Sequence, residues 1–348
     1  MPTAPGADAA AVGPYLARVL AEPGWRDCTV EVIAGGRSNL TYLVTGAPGS
    51  LVLRRPPLRA VRPTAHDVAR EHRVLSALAG TVVPVPRPVH LCTDPDVLGA
   101  PFYLMERVDG VIARQSMPPG YADTAAERVA ITHALVDVLA DLHAVDPAAV
   151  GLTGFGRPDG YLARQLRRWL GEWEALRAAA GPAVDALAGE LADRLPTGLA
   201  APSGPVVHGD YRLDNVVLDP ADPGRVAAVL DWEMSTLGDP LADLGLLVVY
   251  WQQGRPPGAP VVTPSVTALP GFPSRSAVVE RYAARTGRDV AALPWYVGFG
   301  YFKLAVVVAG IAARHRAGAM ADNTDNGLSG LIEPLADWGR AELAAPHL

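Results

Sequence analysis

The chain has few cysteines, a single lysine and no long uninterrupted apolar run. Cys28 and Cys92 are the only cysteines among 348 residues, too few for a disulfide scaffold or a thiolate metal cage, which favours a reducing, cytoplasmic setting. The longest apolar stretches, residues 244–251 and 304–313, are shorter than the roughly 18 to 20 residues of a membrane-spanning helix. Asp8 interrupts an N-terminal run of small residues without a basic start, which does not fit a secretory signal. We therefore expect a water-soluble protein with no membrane partner.

Charge and length narrow the class further. The formal net charge is −6 and no basic run is present, so nucleic acid is not expected as the main partner. Of the 30 basic residues only Lys303 is a lysine. Hydrophobic residues make up 49% of the chain and charged residues 19%, a globular composition. Because single cores stop growing at roughly 250 to 300 residues, the length suits two lobes.

Apolar periodicity divides the chain into a strand-rich and a helix-rich part. Residues 1–108 contain five strand-like runs, an N-terminal helix and a helix over residues 65–79. Residues 109–348 contain seven helical patterns around one strand-rich island. The Pro- and Gly-rich residues 255–273 predict an irregular loop. The fold class predicted is α+β, with a small antiparallel-sheet N-lobe and a larger, mainly helical C-lobe.

The island, residues 206–231, contains the pattern His-x-Asp-x-x-x-x-Asn, in which Asp210 and Asn215 are the aspartate and the asparagine. Two β-branched runs follow, separated by an Asp-Pro-Ala-Asp-Pro-Gly turn, which predicts an antiparallel hairpin. Such a hairpin places Asn215, where its first strand starts, beside Asp231, where its second strand ends. Two carboxylates and an amide are hard oxygen ligands suited to magnesium that carries nucleotide phosphates.

The spacing matches the catalytic loop of protein kinases, in which the aspartate takes the substrate hydroxyl proton and the asparagine holds a metal ion. It predicts a two-lobed, protein-kinase-like fold with Asp210 as catalytic base and with Asn215 and Asp231 as magnesium ligands. Gly209 replaces the kinase arginine. The alternative is that His208 and Asp210 cap a turn and that Asn215 starts a strand, for local hydrogen bonding only.

The runs HGDYRLDNVVLD and AVLDWEMSTLGDPLADLG resemble the aminoglycoside phosphotransferase superfamily of small-molecule kinases, which includes choline kinases. Within it, the chain is most similar to phosphotransferase domains fused to, or encoded near, acyl-CoA dehydrogenases. The resemblance implies ATP and Mg²⁺ as cofactors, a small-molecule hydroxyl as substrate, Asp210 as base, and Asn215 and Asp231 as metal ligands. It also implies a functional link to an acyl-CoA dehydrogenase. Asp243 either braces the catalytic loop, as in such folds, or is a solvated helix carboxylate.

The N-lobe carries the residues predicted to hold the nucleotide. A glycine-rich turn after the first strand would let backbone N–H groups approach phosphates, although an ordinary hairpin turn would look the same. The residues of this turn are Gly35, Gly36, Arg37, Ser38 and Asn39. Residues 102–108 lead towards the second lobe, and backbone groups near Glu106 and Val108 are predicted to meet adenine. A plain edge strand explains these residues equally well.

A kinase needs a cation on the strand after the glycine-rich turn, braced by a glutamate from the following helix. Because Lys303 is far away in sequence, Arg54 is assigned this role, and Arg55 points to the opposite face of the strand. Glu71 falls on the buried stripe of the helix, where a carboxylate should be paired. We predict that Glu71 pairs with Arg54; pairing with an arginine of its own helix is the alternative.

The acceptor side gives weaker signals. Residues 271–320 hold seven basic residues against two acids, an excess that favours an anionic acceptor such as a hydroxyacyl-CoA, unless it is a solvated face. Lys303 lies in an apolar pattern, where it either meets an anion or extends to solvent. Trp169 and Trp173 recur at helical spacing, which is more typical of core packing than of a ligand wall.

We therefore expect an ATP:alcohol phosphotransferase acting on a small molecule. An aminoglycoside or other small-alcohol kinase and a catalytically weak nucleotide-binding regulator are the alternatives. A third class is a metallohydrolase built on His208, Asp210 and Asp231. That class predicts further metal-spaced histidines, and the eight histidines of the chain show no such spacing.

Overall fold

The computed structural model describes residues 4–33, 39–58, 67–177, 181–197, 204–255, 257–316 and 327–345. The chain divides into two compact units. The first comprises residues 1–110 and 227–235, and the second comprises residues 111–226 and 236–348. The predicted domain boundary at residue 108 stays a prediction. Residues 227–235, which the sequence pattern assigned to the C-lobe, lie with the first unit.

The first unit is built on one antiparallel sheet. Its elements, in chain order, are α1 (Ala9–Val19), β1 (Thr29–Val32), β2 (Leu40–Gly46), β3 (Gly49–Arg55), α2 (Val68–Leu78), β4 (Pro88–Cys92), α3 (Pro95–Leu98) and β5 (Phe102–Glu106). The five strands have the order β1-β2-β3-β5-β4, and all five were predicted. Of the elements named here, α3 was missed, because a single turn is too short for a 3.6-residue periodicity to appear.

Alternation along the strands of this sheet builds the core of the first unit. Tyr42, Val44, Leu53, Phe102 and Leu104 have no exposed surface and belong to one hydrophobic cluster. Each pair within a strand is two residues apart, so the side chains share one face of the sheet. The neighbouring positions face the other way and are available for polar contacts with α2.

Residues 227–235 are tied to the first unit by backbone and side-chain contacts. The Val229 N–H donates to the Pro84 carbonyl over 2.8 Å. Arg70 Nη2, on α2, donates to the Ser235 carbonyl over 3.1 Å. A short 3-10 helix, Trp232–Met234, packs against α2. These contacts place Asp231, the residue before the 3-10 helix, beside α2 of the same unit.

The remaining elements are mainly helical. In chain order they are α4 (Ala125–Ala144), α5 (Tyr161–Glu174), α6 (Pro182–Asp193), β6 (Val206–Val207), β7 (Val216–Leu218), β8 (Val226–Val229), β9 (Thr236–Leu237), α7 (Leu241–Tyr250), α8 (Arg275–Thr286), α9 (Leu293–Arg316) and α10 (Ile332–Ala344). All seven predicted helices are present. In the turn between β7 and β8, the Asp219 N–H donates to the Arg225 carbonyl over 2.9 Å, so the predicted strand, turn and strand are confirmed.

Helix α9 lies at the centre of the second unit and packs against α6, α7 and α10. Gly245 allows the close crossing of α7 and α9, since a Cβ there would lie 2.7 Å from the Tyr296 Cβ. By length and composition α9 could cross a membrane, but 72% of its most apolar window is buried within the structure. Burial of that degree is typical of a core helix.

Candidate active site

The predicted pair between Arg54 on β3 and Glu71 on α2 is present. Arg54 Nε lies 3.0 Å from Glu71 Oε2, and Arg54 Nη2 donates to Glu71 Oε1 over 3.3 Å. The Glu71 side chain is 1% exposed, so its charge needs the partner. Arg55 points away, as predicted, and donates to the Leu98 carbonyl over 2.9 Å.

Two further side chains hold Glu71 in place. Asn39 Nδ2 donates to Glu71 Oε1 over 2.7 Å, and the Tyr103 hydroxyl donates to Glu71 Oε2 over 2.8 Å. Tyr103 lies directly opposite Arg54 in the pairing of β5 with β3. The side chain of Asn39, assigned above to the phosphate-binding turn, is thus committed to Glu71. Arg54 is held in a fixed orientation by this network.

Asp231 completes the charge cluster of the first unit. Arg54 Nη2 donates to Asp231 Oδ1 over 3.1 Å. Burial lowers the pKa of Arg54, but Glu71, Tyr103 and Asp231 outweigh it, and the pKa stands above its usual value. Asp231 has a left-handed backbone, with φ +65°, a conformation that non-glycine residues rarely adopt and that recurs at functional sites.

The donor set around Asp231 suits a hard cation. Carboxylate oxygens of Glu71, Asp231 and Glu233 lie within 4.8 Å of one another, and magnesium prefers such ligands. Both oxygens of Glu71 already accept hydrogen bonds, which makes Asp231 and Glu233 the better candidates. Among the described residues this is the one group of three potential metal ligands, and its lack of histidine gives a metallohydrolase no support. Glu233 was not predicted, although it stands two residues after Asp231.

The structure describes only some of the other residues that are predicted to contact the nucleotide. Gly35, Gly36, Arg37 and Ser38 lie outside the described residues. Glu106 ends β5, and its backbone N–H donates to the Arg87 carbonyl over 2.9 Å, while its side chain pairs with Arg87. The roles of Glu106 and Val108 towards adenine stay predictions.

In the second unit, the loop after β6 carries Asp210 and Asn215 side by side. Asn215 Nδ2 donates to the Asp210 carbonyl over 2.9 Å and to Asp210 Oδ2 over 3.0 Å. With its nitrogen so engaged, the Asn215 Oδ1 atom is the one suited to a cation. The Asp210 N–H donates to His208 Nδ1 over 3.2 Å, so His208, fully buried, supports the loop.

Asp243, on α7, supports the loop that carries Asp210 and Asn215 by accepting hydrogen bonds from its backbone. Its carboxylate accepts from the N–H groups of His208 over 2.7 Å and of Gly209 over 2.8 Å, and His143 Nε2 lies 3.2 Å away. Burial favours the neutral form, yet these contacts outweigh it and lower the pKa of Asp243. Gly209 has φ +87°, which explains glycine at this position. The prediction that Asp243 braces the catalytic loop is confirmed, and the alternative, a helix carboxylate exposed to solvent, is wrong.

Replacing Asp243 with asparagine should lower the free energy of unfolding by about 2 to 4 kcal/mol, because an amide cannot accept all three hydrogen bonds of the buried carboxylate. Urea denaturation at neutral pH measures the change. Since the folded-state pKa of Asp243 is lowered, its contribution is full above a pH of about 4 and shrinks as the pH falls below that. Asp337→Asn, on an exposed position of α10, is the matched control; equal stabilities of both variants would contradict the bracing role.

Arg212 is a cation beside Asp210 that the sequence motif did not single out. Its Nε lies 3.6 Å from Asp210 Oδ2, and its Nη1 lies 3.3 Å from Asp214 Oδ2. The guanidinium stacks over the Tyr250 ring at 4.7 Å from the centroid. A cation held in this way offsets negative charge at Asp210.

Carboxylates on other helices neutralise most of the excess of basic over acidic residues in residues 271–320. Three arginines on α8 form ion pairs with carboxylates of α4 and α10. The pairs are Arg275 with Glu342 at 2.6 Å, Arg281 with Asp137 at 2.6 Å and Arg285 with Asp141 at 3.0 Å. The residue count therefore overstates the charge available to an acceptor, and these three arginines are structural.

Comparison with known proteins agrees with this geometry. The family model described as "Phosphotransferase enzyme family" matches residues 29–291. Human acyl-CoA dehydrogenase family member 11 is 34% identical over 89% of the chain, which spans only 39% of that relative. The crystal structure of a Ralstonia eutropha protein, provisionally assigned as an aminoglycoside phosphotransferase, is 34% identical, with a TM-score of 0.76 over 91% of this chain and 92% of that one.

A more distant structure shows the fold alone. It is a thermostable mutant of an aminoglycoside phosphotransferase in ternary complex with ADP and hygromycin B, 14% identical, with a TM-score of 0.63 over 96% of this chain and 99% of that one. The family match covers more than half of the chain. The chain therefore belongs to the phosphotransferase enzyme family and has the kinase-like fold of the aminoglycoside phosphotransferases.

Proposed function

We propose that the protein transfers a phosphoryl group from ATP to a hydroxyl of a small molecule in the cytoplasm. The buried ion pair between Arg54 and Glu71 is the observation that carries the proposal. A cation on a central strand, fixed by a glutamate from the adjacent helix, is the device with which kinases hold the α- and β-phosphates. Burying such a pair costs desolvation energy, so a purely structural purpose explains it poorly.

Arginine serves in the place of lysine at this position. Its guanidinium is always charged and donates in a planar fork that fits phosphate oxygens. Arg54 binds the nucleotide phosphates, together with backbone groups of residues 35–39, while Glu71, Asn39 and Tyr103 fix its orientation. Backbone groups near Glu106 and Val108 receive the adenine ring.

Asp231 and Asn215 would hold Mg²⁺, with Glu233 as a further carboxylate ligand, and the ion would neutralise charge on the transferred phosphoryl group. Asp210 accepts the proton of the acceptor hydroxyl and orients its oxygen. Arg212, beside Asp210, compensates the negative charge that collects around the base. Positioning and charge neutralisation supply most of the rate in such a reaction.

The acceptor we propose is anionic, and a hydroxyacyl-CoA is the specific candidate. Support comes from the similarity to acyl-CoA dehydrogenase family members, whose names also suggest a functional link to an acyl-CoA dehydrogenase. An aminoglycoside or another neutral or cationic alcohol is the second candidate, supported by the fold shared with an enzyme bound to hygromycin B.

A panel of alcohols assayed for ATP consumption tests the proposal. Hydroxyacyl-CoA esters, free hydroxy acids and aminoglycosides are compared, with product identified by mass spectrometry as an increase of one phosphoryl group. We expect a hydroxyacyl-CoA to give the highest kcat/KM. Nucleotide binding without consumption of ATP in the presence of any acceptor would instead favour a regulator.

Removal of divalent metal should abolish turnover. With EDTA in excess, we expect at least a 100-fold loss of ATP consumption, restored by added Mg²⁺, because Arg54 holds the phosphates but does not replace the ion at the transferred phosphoryl group. Calcium serves as the control ion, since its larger radius and looser geometry support the reaction poorly. Full turnover in EDTA would contradict the metal assignment.

A further inference from the structure

Lys303 stands apart from the other cations of the second unit. It lies on α9 and is the only lysine of the chain. Unlike the three paired arginines of α8, it has no carboxylate partner in the part of the chain that the structure describes. Its ammonium lies 5.5 Å from the centroid of the Trp169 ring. A partly buried cation that forms no direct ion pair is costly, and a ligand that supplies negative charge lowers that cost.

The surroundings of Lys303 connect it to the catalytic loop. Burial lowers the pKa of its ammonium, and Asp210 provides the largest electrostatic interaction that acts against this shift, followed by Asp243. Arg168, on α5, adds like charge nearby. Lys303 thus lies within electrostatic range of Asp210.

Trp169 adds an unsatisfied hydrogen-bond donor beside Lys303. Its indole Nε1 is buried and makes no hydrogen bond within the described residues. The neighbouring Trp173, one turn further along α5, differs because its Nε1 donates to Asp185 Oδ1 over 2.7 Å. Buried indole N–H groups usually find an acceptor. An unsatisfied indole N–H and a cation that forms no ion pair among the described residues therefore lie close to each other.

We propose that Lys303 and Trp169 bind an oxyanion of the acceptor, either the carboxylate of a free hydroxy acid or a phosphate of a CoA ester, and so select acceptors that carry negative charge. This inference rests on the proposed function and assigns the selectivity for anionic acceptors to one residue pair. The ammonium and the indole N–H both donate to the oxyanion, which replaces the water that each donor loses on burial.

The single lysine permits a test that does not depend on turnover. Lys303 is acetylated with acetic anhydride, and its rate of modification is read by peptide mass mapping, which separates it from the α-amino group. Rates, each taken relative to the rate of the α-amino group in the same sample so that reagent consumed by the CoA thiol cancels, are compared in 3-hydroxybutyrate, inorganic phosphate, CoA and the uncharged methyl 3-hydroxybutyrate, at constant ionic strength with chloride. We expect at least threefold slower modification with one or more of the anions and no change with the ester.

The pattern of protection identifies the oxyanion. Protection by 3-hydroxybutyrate assigns a carboxylate, whereas protection by CoA or phosphate alone assigns a phosphate. The same rate with every probe would overturn the proposal, whether or not the protein turns over ATP. The proposed function is tested separately by the acceptor panel, so the two failures are distinguishable.

Steady-state kinetics of substituted variants tests the same inference. Lys303→Met should lower kcat/KM by about 10- to 100-fold, through KM, for the acceptor that carries the oxyanion identified by protection, because one charge-assisted hydrogen bond is lost. Lys303→Arg should retain most of the wild-type kcat/KM, and Trp169→Phe should lower kcat/KM less than Lys303→Met does. Arg314→Met removes an exposed cation from the same helix and should leave the constant unchanged. A Lys303→Met loss of equal size for anionic and uncharged acceptors, or one confined to kcat, would refute acceptor selection by Lys303.

Discussion

Asparagine in place of Asp210 should lower kcat by about 10²- to 10⁴-fold, the contribution typical of a positioned general base. The amide keeps the size of the carboxylate and its contact with Asn215 but cannot accept the hydroxyl proton. Nucleotide binding should stay within a few-fold of wild type, because Arg54 and Glu71 carry the phosphate-binding role. Steady-state kinetics with the best acceptor of the panel, together with calorimetric titration of a non-hydrolysable ATP analogue, measure both quantities.

Asp214→Asn is the control for that experiment. Asp214 lies four residues further along the loop and contacts the same arginine, with Arg212 Nη1 at 3.3 Å, but it is given no role in proton transfer. We expect Asp214→Asn to lower kcat by less than tenfold. Equal losses in the two variants would show that charge around Arg212, and not a base at position 210, limits the rate.

Asparagine in place of Asp231 should reduce kcat by about 10²- to 10³-fold, comparable to removal of one preorganised charge-stabilising group. The carboxylate is the hard ligand that an amide replaces poorly. Folding should be little affected, because Arg54 keeps its contacts with the buried Glu71. The apparent affinity for Mg²⁺, measured from the dependence of turnover on free metal, should fall together with kcat.

Glu233→Gln distinguishes the two carboxylates that flank Trp232. As a further ligand, Glu233 should contribute less to metal binding than Asp231, so Glu233→Gln should lower kcat by about tenfold. If Glu233→Gln abolishes turnover and Asp231→Asn does not, the principal metal ligand is Glu233, and the assignment of Asp231 is wrong.

The features predicted from the sequence were those encoded locally. Helices and strands followed from periodicity, and Glu71 was identified because a carboxylate on a buried stripe requires a cation. Asn39 and Tyr103, which also hold Glu71, were not foreseen as its partners. Tyr103 reaches Glu71 because β5 pairs with β3 in a register that places it opposite Arg54, and one strand alone does not specify its register with another.

Charge was the property that the sequence predicted least well. The carboxylates that pair with Arg275, Arg281 and Arg285 come from α4 and α10, more than 60 residues away along the chain, so a count over one segment cannot include them. Arg212 and Glu233 were missed for a different reason. Both adjoin motif residues, but the kinase pattern assigns them no role, and only the contacts with Asp210 and Asp231 reveal their positions.

The central claim is the proposal that Asp231 and Asn215 bind one metal ion that carries the nucleotide phosphates. Anomalous diffraction from crystals grown with Mn²⁺ and a non-hydrolysable ATP analogue tests it most directly. We predict one strong anomalous peak within about 2.0 to 2.4 Å of an Asp231 carboxylate oxygen and of Asn215 Oδ1, the range for divalent ions with oxygen ligands. A peak that contacts neither side chain, or only one of them, would contradict the claim.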